Sequence, residues 1–525
     1  MYIKKFLIVI IPKKNRFFTI KAAVIYFVIL YMIRNRILKP PKSLRHIPYQ
    51  GYFDLFKLII GKESYWDYTH RLVLPLINSK QSNGIYLEPG TSGWEVHIAN
   101  PQVAKQILQK HEMFPKVNFK NILKDTLAGK FSAGSNMVFL NGHEWKSQRA
   151  IVNPAFHRSM PVRLFGELAC KLIRVMETMD ETVTDFTDLM ERLTLDAIGR
   201  AGFGFDFHSI EDRDNKWTHI YKDISVGMQD PLYLLFPKLE TDKIVWLIPK
   251  RWALHRKMDD FLKMLDEIII AKRNSLKENK VYNTDLEENE KDLLTLMLED
   301  ESNTQGTYTN KELKNNLCLF FLAGHDTTAN ALSFAVYFLA KHPDIQQKAR
   351  EEAIRVLGNE PKDITPFLEQ IKRLVYLNQV IKETLRIFGP VVQTIPRVAH
   401  EDIVFLDTFI PKGTPIVVDI FNIQHCEKFW KNAEEFNPDR FADPVAHSTT
   451  AMDEGFIHYL PFGYGARQCL GIKFSLNEQL VLLSMLLRKF TWKIPENSIH
   501  KDKLNTAGSF FIGPHILDMV FKKRY

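Results

Sequence analysis

The chain is poor in cysteine. Its 525 residues include only Cys170, Cys318, Cys426 and Cys469, and no two of them form a Cys-x-x-Cys pair. This excludes a disulfide-rich scaffold and a zinc ribbon built on paired cysteines, and it fits a reducing compartment. The chain also lacks a Gly/Ser-rich linker and an internal repeat of 20 to 50 residues. We therefore expect one large domain and not several separate ones.

Acidic residues are absent from the first 50 positions, which carry eleven Lys or Arg. The rest of the chain has 59 basic and 61 acidic residues, so the net charge of +9 belongs to the N-terminus. Nucleic-acid binding would need a basic surface on the folded body. We therefore expect no nucleic-acid partner.

Long apolar runs are rare, and residues 17–33 form the candidate for a membrane span, interrupted by Lys21. Their length is at the lower end of the roughly 17–25 residues that cross a bilayer. No small-residue cleavage site follows, and the segment is neither Ser-rich nor amphipathic, so signal and mitochondrial transit peptides fit less well. We expect residues 1–48 to be a membrane anchor with a Pro-containing hinge, and residues 49–525 to be the folded domain. Basic residues flank both sides of the span, so charge does not set its orientation.

Helical periodicity dominates the body. It is found near residues 160–200, 250–275, 311–342, 344–358, 367–388 and 472–490. Residues 85–111 have the pattern of short strands (85–90 and 94–100) followed by a helix, and further strand-like runs lie near 400–421 and 490–522. The glycines at 199–204 (GRAGFG) have the wrong spacing for a dinucleotide fingerprint. The pattern predicts a mainly α fold with small β-sheets.

The most informative motif is FGYGARQCLG, residues 462–471. Cys469 comes at the start of a predicted helix, and a helix N-terminus favours a thiolate. Gly465 permits a turn that a Cβ would obstruct, and Gly471 lets the backbone approach a flat ligand. Arg467 can pair with a carboxylate, and Phe462 can shield the sulfur. A buried structural cysteine in a glycine-rich turn is the alternative for a lone cysteine, but it does not explain the complete string.

This string resembles the haem-binding loop of the cytochrome P-450 superfamily. The resemblance implies the superfamily's fold and a bound haem b (iron protoporphyrin IX), with Cys469 as the axial ligand of the iron. It also implies a monooxygenase that uses O2 as co-substrate. A thiolate ligand donates electron density to iron and favours O–O cleavage.

A second segment, AGHDTT at residues 323–328, lies in an apolar helical stretch. It resembles the oxygen-activating part of the superfamily's long central helix. The resemblance places Ala323 and Gly324 against the cofactor. Thr327 would donate a hydrogen bond to dioxygen and Asp326 would relay protons. The alternative is an ordinary amphipathic helix with a glycine packing site.

Three cations and one aromatic residue are expected at the haem propionates. Trp145 and Arg149 are spaced i, i+4 and therefore share one helix face. They resemble the superfamily's Trp-x-x-x-Arg segment, and Arg397 resembles a further propionate arginine that joins Arg467. The alternative for each is a surface cation beside an aromatic ring.

A structural network is expected as well. Glu383 and Arg386 are spaced i, i+3 and can pair on one helix face. In the superfamily this pair is buried and meets an arginine from a later loop, here Arg440 in FNPDRF. We interpret the three residues as fold-holding and not catalytic.

By family position, Phe320, Val391, Val392 and Phe510 would contact the substrate. Their apolar character favours a lipophilic small molecule, without distinguishing a fatty acid, sterol, terpene or xenobiotic.

The chain shows no flavin- or NADPH-binding segment, so the resemblance implies electrons from NADPH through a separate flavoprotein reductase, with cytochrome b5 as a second donor. The reductase would dock on the thiolate side, near Lys473, Arg488 and Lys489. We expect the protein in the endoplasmic reticulum membrane with its catalytic domain facing the cytosol; a mitochondrial location is the alternative.

Two other functions remain open. A haem-thiolate isomerase or dehydratase needs no reductase and often lacks the acid–alcohol pair that Asp326 and Thr327 form here. A non-catalytic haem-binding sensor needs neither a proton relay nor a substrate channel.

Overall fold

The computed structural model describes residues 38–54, 63–78, 82–120, 123, 125–132, 136–179, 183–230, 232–233, 236–241, 244–277, 290–303, 309–443, 457–507 and 511–525. The expected membrane span at 17–33 and the expected substrate residue Phe510 lie outside these residues. Among the residues that are described, no helix combines the length and the apolar character that a bilayer crossing requires.

Helices dominate the described part of the chain. They are α1 Tyr65–Tyr68, α2 Leu74–Ile77, α3 Pro101–Gln109, α4 Leu127–Ser132, α5 Gly142–Arg158, α6 Val162–Thr178, α7 Phe186–Ile198, α8 Lys216–Met228, α9 Pro249–Lys277, α10 Leu293–Asn303, α11 Asn310–Lys341, α12 Pro343–Leu357, α13 Leu368–Ile371, α14 Val375–Ile387, α15 Ile420–Gln424 and α16 Ile472–Lys489. Single π-helical turns at Thr69–Val73 and Gly199–Phe203 adjoin α2 and α7.

Short strands form small sheets at the periphery. They are β1 Ile85–Gly90, β2 Gly93–Ile98, β3 Val183–Asp185, β4 Arg397–Val398, β5 Ile403–Phe405, β6 Thr408–Ile410, β7 Pro415–Val418, β8 Phe490–Lys493, β9 Thr506–Ala507, β10 Gly513–Pro514 and β11 Asp518–Lys523. The four-stranded sheet has the order β1-β2-β7-β4, with β2 and β7 parallel and the other neighbours antiparallel. The other sheets are β3-β11-β8, β5-β6 and β9-β10. The predicted fold class, mainly α with small sheets, is confirmed.

Helix α11 runs through the centre of the molecule. It begins with a capping box, in which the Thr309 hydroxyl accepts from the Glu312 N–H and the Glu312 carboxylate accepts from the Thr309 N–H. Residues 331–339 are buried without interruption. A helix that is buried on every face belongs to the interior and not to the surface.

Two apolar clusters pack around α11, and a third lies on the four-stranded sheet. The largest joins the second half of α11 to α6, α7, α12, α14 and α16, and a second joins its first half to α5, α8, α9 and α10. The third covers the four-stranded sheet with α3. The Thr328 hydroxyl of α11 lies 3.1 Å from the Ser475 hydroxyl of α16. The loop that precedes α16 is thereby held close to the middle of α11.

Candidate active site

A cavity of about 1870 Å³ lies between α11, the loop before α16 and the segment after α14. It exceeds the roughly 300–1,000 Å³ of typical small-molecule pockets. It can therefore hold a large cofactor together with a second molecule. Phe320, Ala323, Thr327, Val391 and Val392 line it, as does the loop that carries Cys469.

The Cys469 sulfur faces this cavity. The residue lies inside the protein, yet its side chain is accessible because the cavity opens beside it. The Cys469 N–H donates to the Phe462 carbonyl at 3.0 Å and closes the loop. Helix α16 begins at Ile472 with Gly471 as its N-cap residue. The prediction that Cys469 starts the helix is therefore wrong in detail, because the cysteine precedes the cap.

Two groups favour the ionised form of Cys469. Burial raises the pKa of its thiol, whereas the backbone N–H of Gly471 and the charge of Arg149 lower it. A thiol that coordinates a metal is deprotonated outright, so this balance does not prevent Cys469 from acting as a ligand.

Gly465 and Gly471, two of the three glycines of the loop, are glycine for different reasons. Gly465 has a φ of +75°, and a Cβ there would lie 3.1 Å from the Leu108 carbonyl oxygen. A side chain would therefore be strained and crowded. A Cβ on Gly471 would meet only ordinary contacts, 3.9 Å from the Cys469 sulfur. Gly471 lines the cavity, so it leaves open space beside the sulfur.

A cluster of cations also lines the cavity. It consists of Arg149, Arg397, Arg467 and a residue that the sequence patterns did not indicate, Lys116. The Arg467 guanidinium stacks on the Trp145 ring at 3.7 Å. Burial and the neighbouring charges of Arg397 and Arg149 lower the pKa of Arg467 to about 9.

Burial acts on the remaining cations as well, and at Lys116 the neighbouring arginine charges add to it. Burial lowers the pKa of Arg397 to about 10. Burial and then the charges of Arg467, Arg397 and Arg149 hold the pKa of Lys116 well below its ordinary value. Lys116 donates to the Val138 carbonyl at 2.7 Å. No local pattern marks Lys116, because only the tertiary fold brings it to the arginines.

The cation cluster fits an anionic ligand. Within the described ranges, none of its four members forms an ion pair with a carboxylate. Arg467 Nε and Nη1 and Arg397 Nε are buried donors that find no acceptor among those same residues. Buried charges and donors are costly unless they are paired. The two carboxylates of a haem would supply the missing acceptors, so the residues present fit this cofactor.

On α11, Ala323, Gly324 and Thr327 line the cavity as expected. The Thr327 hydroxyl donates to the Ala323 carbonyl at 2.5 Å. A Cβ on Gly324 would lie 2.9 Å from Ile198. The glycine is therefore also required by the close packing of α7 on α11.

Asp326 does not line the cavity. Its carboxylate accepts from the Ser225 hydroxyl at 2.9 Å and from the Tyr221 hydroxyl at 3.4 Å, both on α8. Burial raises the pKa of Asp326 to about 7. The ring of His325 is buried beside it, with Nδ1 2.6 Å from the Thr194 hydroxyl oxygen. The acid and the alcohol are thus adjacent in sequence but face different sides of α11.

A family model described as "Cytochrome P450" matches residues 91–518. The chain belongs to the cytochrome P450 family. It is 28% identical over 530 residues to "11-oxo-beta-amyrin 30-oxidase" of Glycyrrhiza uralensis, covering 92% of this chain and 93% of that protein. It is 30% identical over 380 residues to "Cytochrome P450 3A5" of Homo sapiens, covering 70% and 71%. It is 29% identical over 415 residues to "Cytokinin hydroxylase" of Arabidopsis thaliana, covering 77% and 74%.

These relatives are oxidases and hydroxylases by name. The predicted reaction class, a haem-dependent cytochrome P450 monooxygenase that uses O2, is confirmed at this level.

The expected network behind the cytochrome P450 cofactor cavity is present. Glu383 Oε2 accepts from Arg386 Nε at 2.7 Å, and Oε1 accepts from Arg386 Nη2 at 2.9 Å and Arg440 Nε at 3.2 Å. The Glu383 and Arg386 side chains are fully buried. Arg386 also donates to the carbonyls of Gln424 and Ala433. The network joins α14 to the loop after α15.

The surface that was expected to meet a reductase differs from the prediction. Arg488 is buried and donates to the carbonyls of Gly358 and Glu360. Lys489 pairs with Glu177 at 3.0 Å and with Asp363 at 3.1 Å. The Arg488 guanidinium is used inside the domain, so Arg488 does not offer a free charge at this surface. Lys473 is exposed.

Proposed function

We propose that this cytochrome P450 inserts one atom of O2 into a lipophilic small molecule, with electrons from NADPH delivered by a separate flavoprotein reductase. The observation that carries the proposal is the cavity of about 1870 Å³ onto which Cys469, the cation cluster and the apolar side of α11 all open. Haem b bound there, with a thiolate ligand, supplies oxygen activation.

The polar walls of the cavity would position the cofactor. The Cys469 thiolate would hold the haem iron, and the Gly471 N–H would tune the electron donation of the sulfur. Arg149, Arg397 and Arg467 would bind the propionates, and Lys116 would join them. The Trp145 ring, on which the Arg467 guanidinium stacks, would orient this guanidinium towards a propionate.

Proton supply would come from the α8 side of α11. Asp326, with a pKa of about 7 and hydroxyl partners on α8, can hold or release a proton near neutral pH. Thr327 would donate a hydrogen bond towards dioxygen in the cavity. This donation requires its hydroxyl hydrogen to leave the Ala323 carbonyl, which it contacts in the structure.

The substrate side of the cavity is apolar. Phe320, Val391 and Val392 line it, and Phe131 and Leu293 extend the apolar wall. Such a lining favours a lipophilic substrate held by burial and oriented by few polar contacts. By family position, Phe510 would also contact the substrate.

The proposed setting is the endoplasmic reticulum membrane, with residues 1–48 as anchor and residues 49–525 as the catalytic domain in the cytosol. The reductase, and cytochrome b5 as a second donor, would approach the surface near Lys473. Microscopy of the tagged full-length chain tests the location. Co-localisation with mitochondria would overturn this part of the proposal.

The decisive experiment joins spectroscopy to turnover. The ferrous carbonyl complex of the purified protein should show the red-shifted Soret band of a thiolate ligand, and Cys469→Ala should abolish it. A spectral screen of lipophilic compounds identifies ligands that displace water from the iron. With such a ligand and an added reductase, NADPH consumption should yield an oxygenated product.

Thr327→Ala tests the proton supply. We expect it to uncouple NADPH consumption from product, whereas Thr327→Ser, which keeps the hydroxyl, should remain coupled. Unchanged coupling in Thr327→Ala, together with turnover of a peroxide without reductase, would favour an isomerase or dehydratase. Haem binding with no substrate-dependent NADPH consumption across the screen would favour a sensor.

A further inference from the structure

Outside the cavity, three side chains with metal-binding atoms converge on one point. His70, His425 and Glu434 place one ligand atom each within 4.8 Å of one another. Glu434 Oε1 lies 3.1 Å from His70 Nε2 and 2.8 Å from His425 Nδ1. The two imidazole planes are nearly perpendicular, at 86°. Both rings therefore aim a nitrogen at the same carboxylate oxygen from different directions.

The second nitrogen of each ring is already committed. His70 Nδ1 lies 2.8 Å from the Trp66 carbonyl oxygen, and His425 Nε2 lies 2.8 Å from the Ile387 carbonyl oxygen. A carbonyl oxygen only accepts, so each of these nitrogens carries the hydrogen. Metal-binding histidines typically donate their other N–H to a backbone carbonyl or a carboxylate, which fixes the tautomer.

Glu434 is oriented in the same way. Its Oε2 accepts from Trp66 Nε1 at 3.0 Å, which leaves Oε1 for the two histidines. If both rings are neutral, three acceptor atoms face one another, and a cation between them removes the repulsion. Around a tetrahedral zinc ion, with bonds of about 2.0–2.2 Å, ligand atoms lie about 3.3 Å apart. A shift of a few tenths of an ångström would open the two His–Glu contacts to that spacing, and the two imidazole nitrogens lie within 4.8 Å of one another.

We propose that His70, His425 and Glu434 bind a divalent transition-metal ion, with zinc as the best match. Imidazole and carboxylate ligands suit zinc, which takes three protein ligands and a water at sites that are open to solvent. The side chains of His70 and Glu434 are 24% and 42% exposed, so water can reach the fourth position. The His425 side chain is fully buried, which anchors the site in the domain.

The ion would join two distant parts of the chain. His70 lies in the π-helical turn Thr69–Val73, whereas His425 and Glu434 follow α15. A ligand that binds only the folded state stabilises that state. Zinc would therefore fasten the N-terminal segment of the folded domain to its body, independently of the proposed oxygenation chemistry.

The test uses the full-length holoprotein, purified without a histidine tag and stripped with a chelator. Competition with a chromogenic zinc chelator gives the affinity, and elemental analysis gives zinc relative to haem iron. We expect one zinc per iron and a rise in Tm on adding zinc. The proposal is overturned if the wild-type protein binds no stoichiometric zinc.

Variants locate the site. His70→Ala and Glu434→Gln should each weaken zinc binding by at least the roughly 10–100-fold that loss of an outer-shell partner costs, and should abolish the zinc-dependent rise in Tm. His219→Ala removes an exposed histidine that lies 3.5 Å from Asp214 and serves as the matched control. The ferrous carbonyl spectrum verifies that each variant is folded. Zinc binding that persists unchanged in both site variants places the ion elsewhere and refutes the assignment.

Discussion

The buried Glu383 network provides the sharpest test of how this fold is held together. In Glu383→Gln the side chain keeps its shape and loses its charge. One carboxylate oxygen becomes an NH2 group that faces the guanidinium donors, which lie 2.7 Å and 2.9 Å from the carboxylate in the wild type. Arg386 is then a fully buried cation with no carboxylate partner in this network. Its remaining bonds to backbone carbonyls do not neutralise its charge.

The expected cost follows from that burial. Removing one partner of a buried ion pair costs about 3–5 kcal/mol, because the other charge stays desolvated. Native domains are stable by roughly 5–15 kcal/mol, so this single change removes a large share of the total. The matched control is Glu369→Gln, which breaks the exposed Glu369–Lys372 pair at 2.6 Å. Exposed pairs contribute about 0–1 kcal/mol.

Urea denaturation followed by circular dichroism compares the two variants with the wild type. The midpoint of Glu383→Gln should fall markedly, with little change in that of Glu369→Gln. The thiolate band of the ferrous carbonyl complex should also be lost at a lower urea concentration in Glu383→Gln than in Glu369→Gln. Equal midpoint shifts in the two variants would contradict this prediction, since the buried carboxylate would then contribute no more to stability than the exposed one.

Further predictions address other charged groups. Arg467→Met should weaken haem binding by about 1.5–3 kcal/mol, which is the contribution of a hydrogen bond to a charged group. The rate of haem transfer to an acceptor protein measures this loss. Lys110→Met, which removes an exposed cation, should leave haem binding unchanged. Coupling of NADPH consumption to product should fall as pH rises through about 7, where Asp326 ionises, and Asp326→Asn should lose this dependence. Burial raises the pKa of Glu478 well above 4.5, so the folded state holds a proton that the unfolded state releases. The free energy of unfolding of the wild type, relative to Glu478→Gln, should therefore fall as the pH rises above about 4.5, where the unfolded chain releases this proton. A difference that stays constant with pH would contradict this.

Periodicity and motif spacing were sufficient for the main elements. Helices α11 and α16 lie where the apolar repeats predicted them, and the i, i+3 spacing of Glu383 and Arg386 gives the observed pair. Hydrophobic periodicity predicts helix over residues 160–200, yet β3 divides this stretch. The Asp185 side chain caps α7 by accepting from the Asp188 N–H. Local capping therefore decided a boundary that hydrophobic periodicity did not.

Other features depend on contacts between distant parts of the chain. Lys116 becomes part of the cation cluster only because the fold brings it to Arg397 and Arg467. Arg488 looks like a surface cation in the sequence, but its helix packs against the segment that supplies the carbonyls of Gly358 and Glu360. A pattern within one helix cannot specify what the opposite face will meet.

The position of Asp326 has a consequence for how acidity and ligand entry affect one another. Its two hydroxyl partners belong to α8, and the last turn of that helix, at Gly227 and Met228, also borders the cavity. A guest molecule that displaces α8 must alter the surroundings of this carboxyl group and hence its proton affinity. By reciprocity, protonation must then change the affinity for the guest by the same factor. Protonation of Asp326 and binding of a guest in the cavity would thus be coupled through α8.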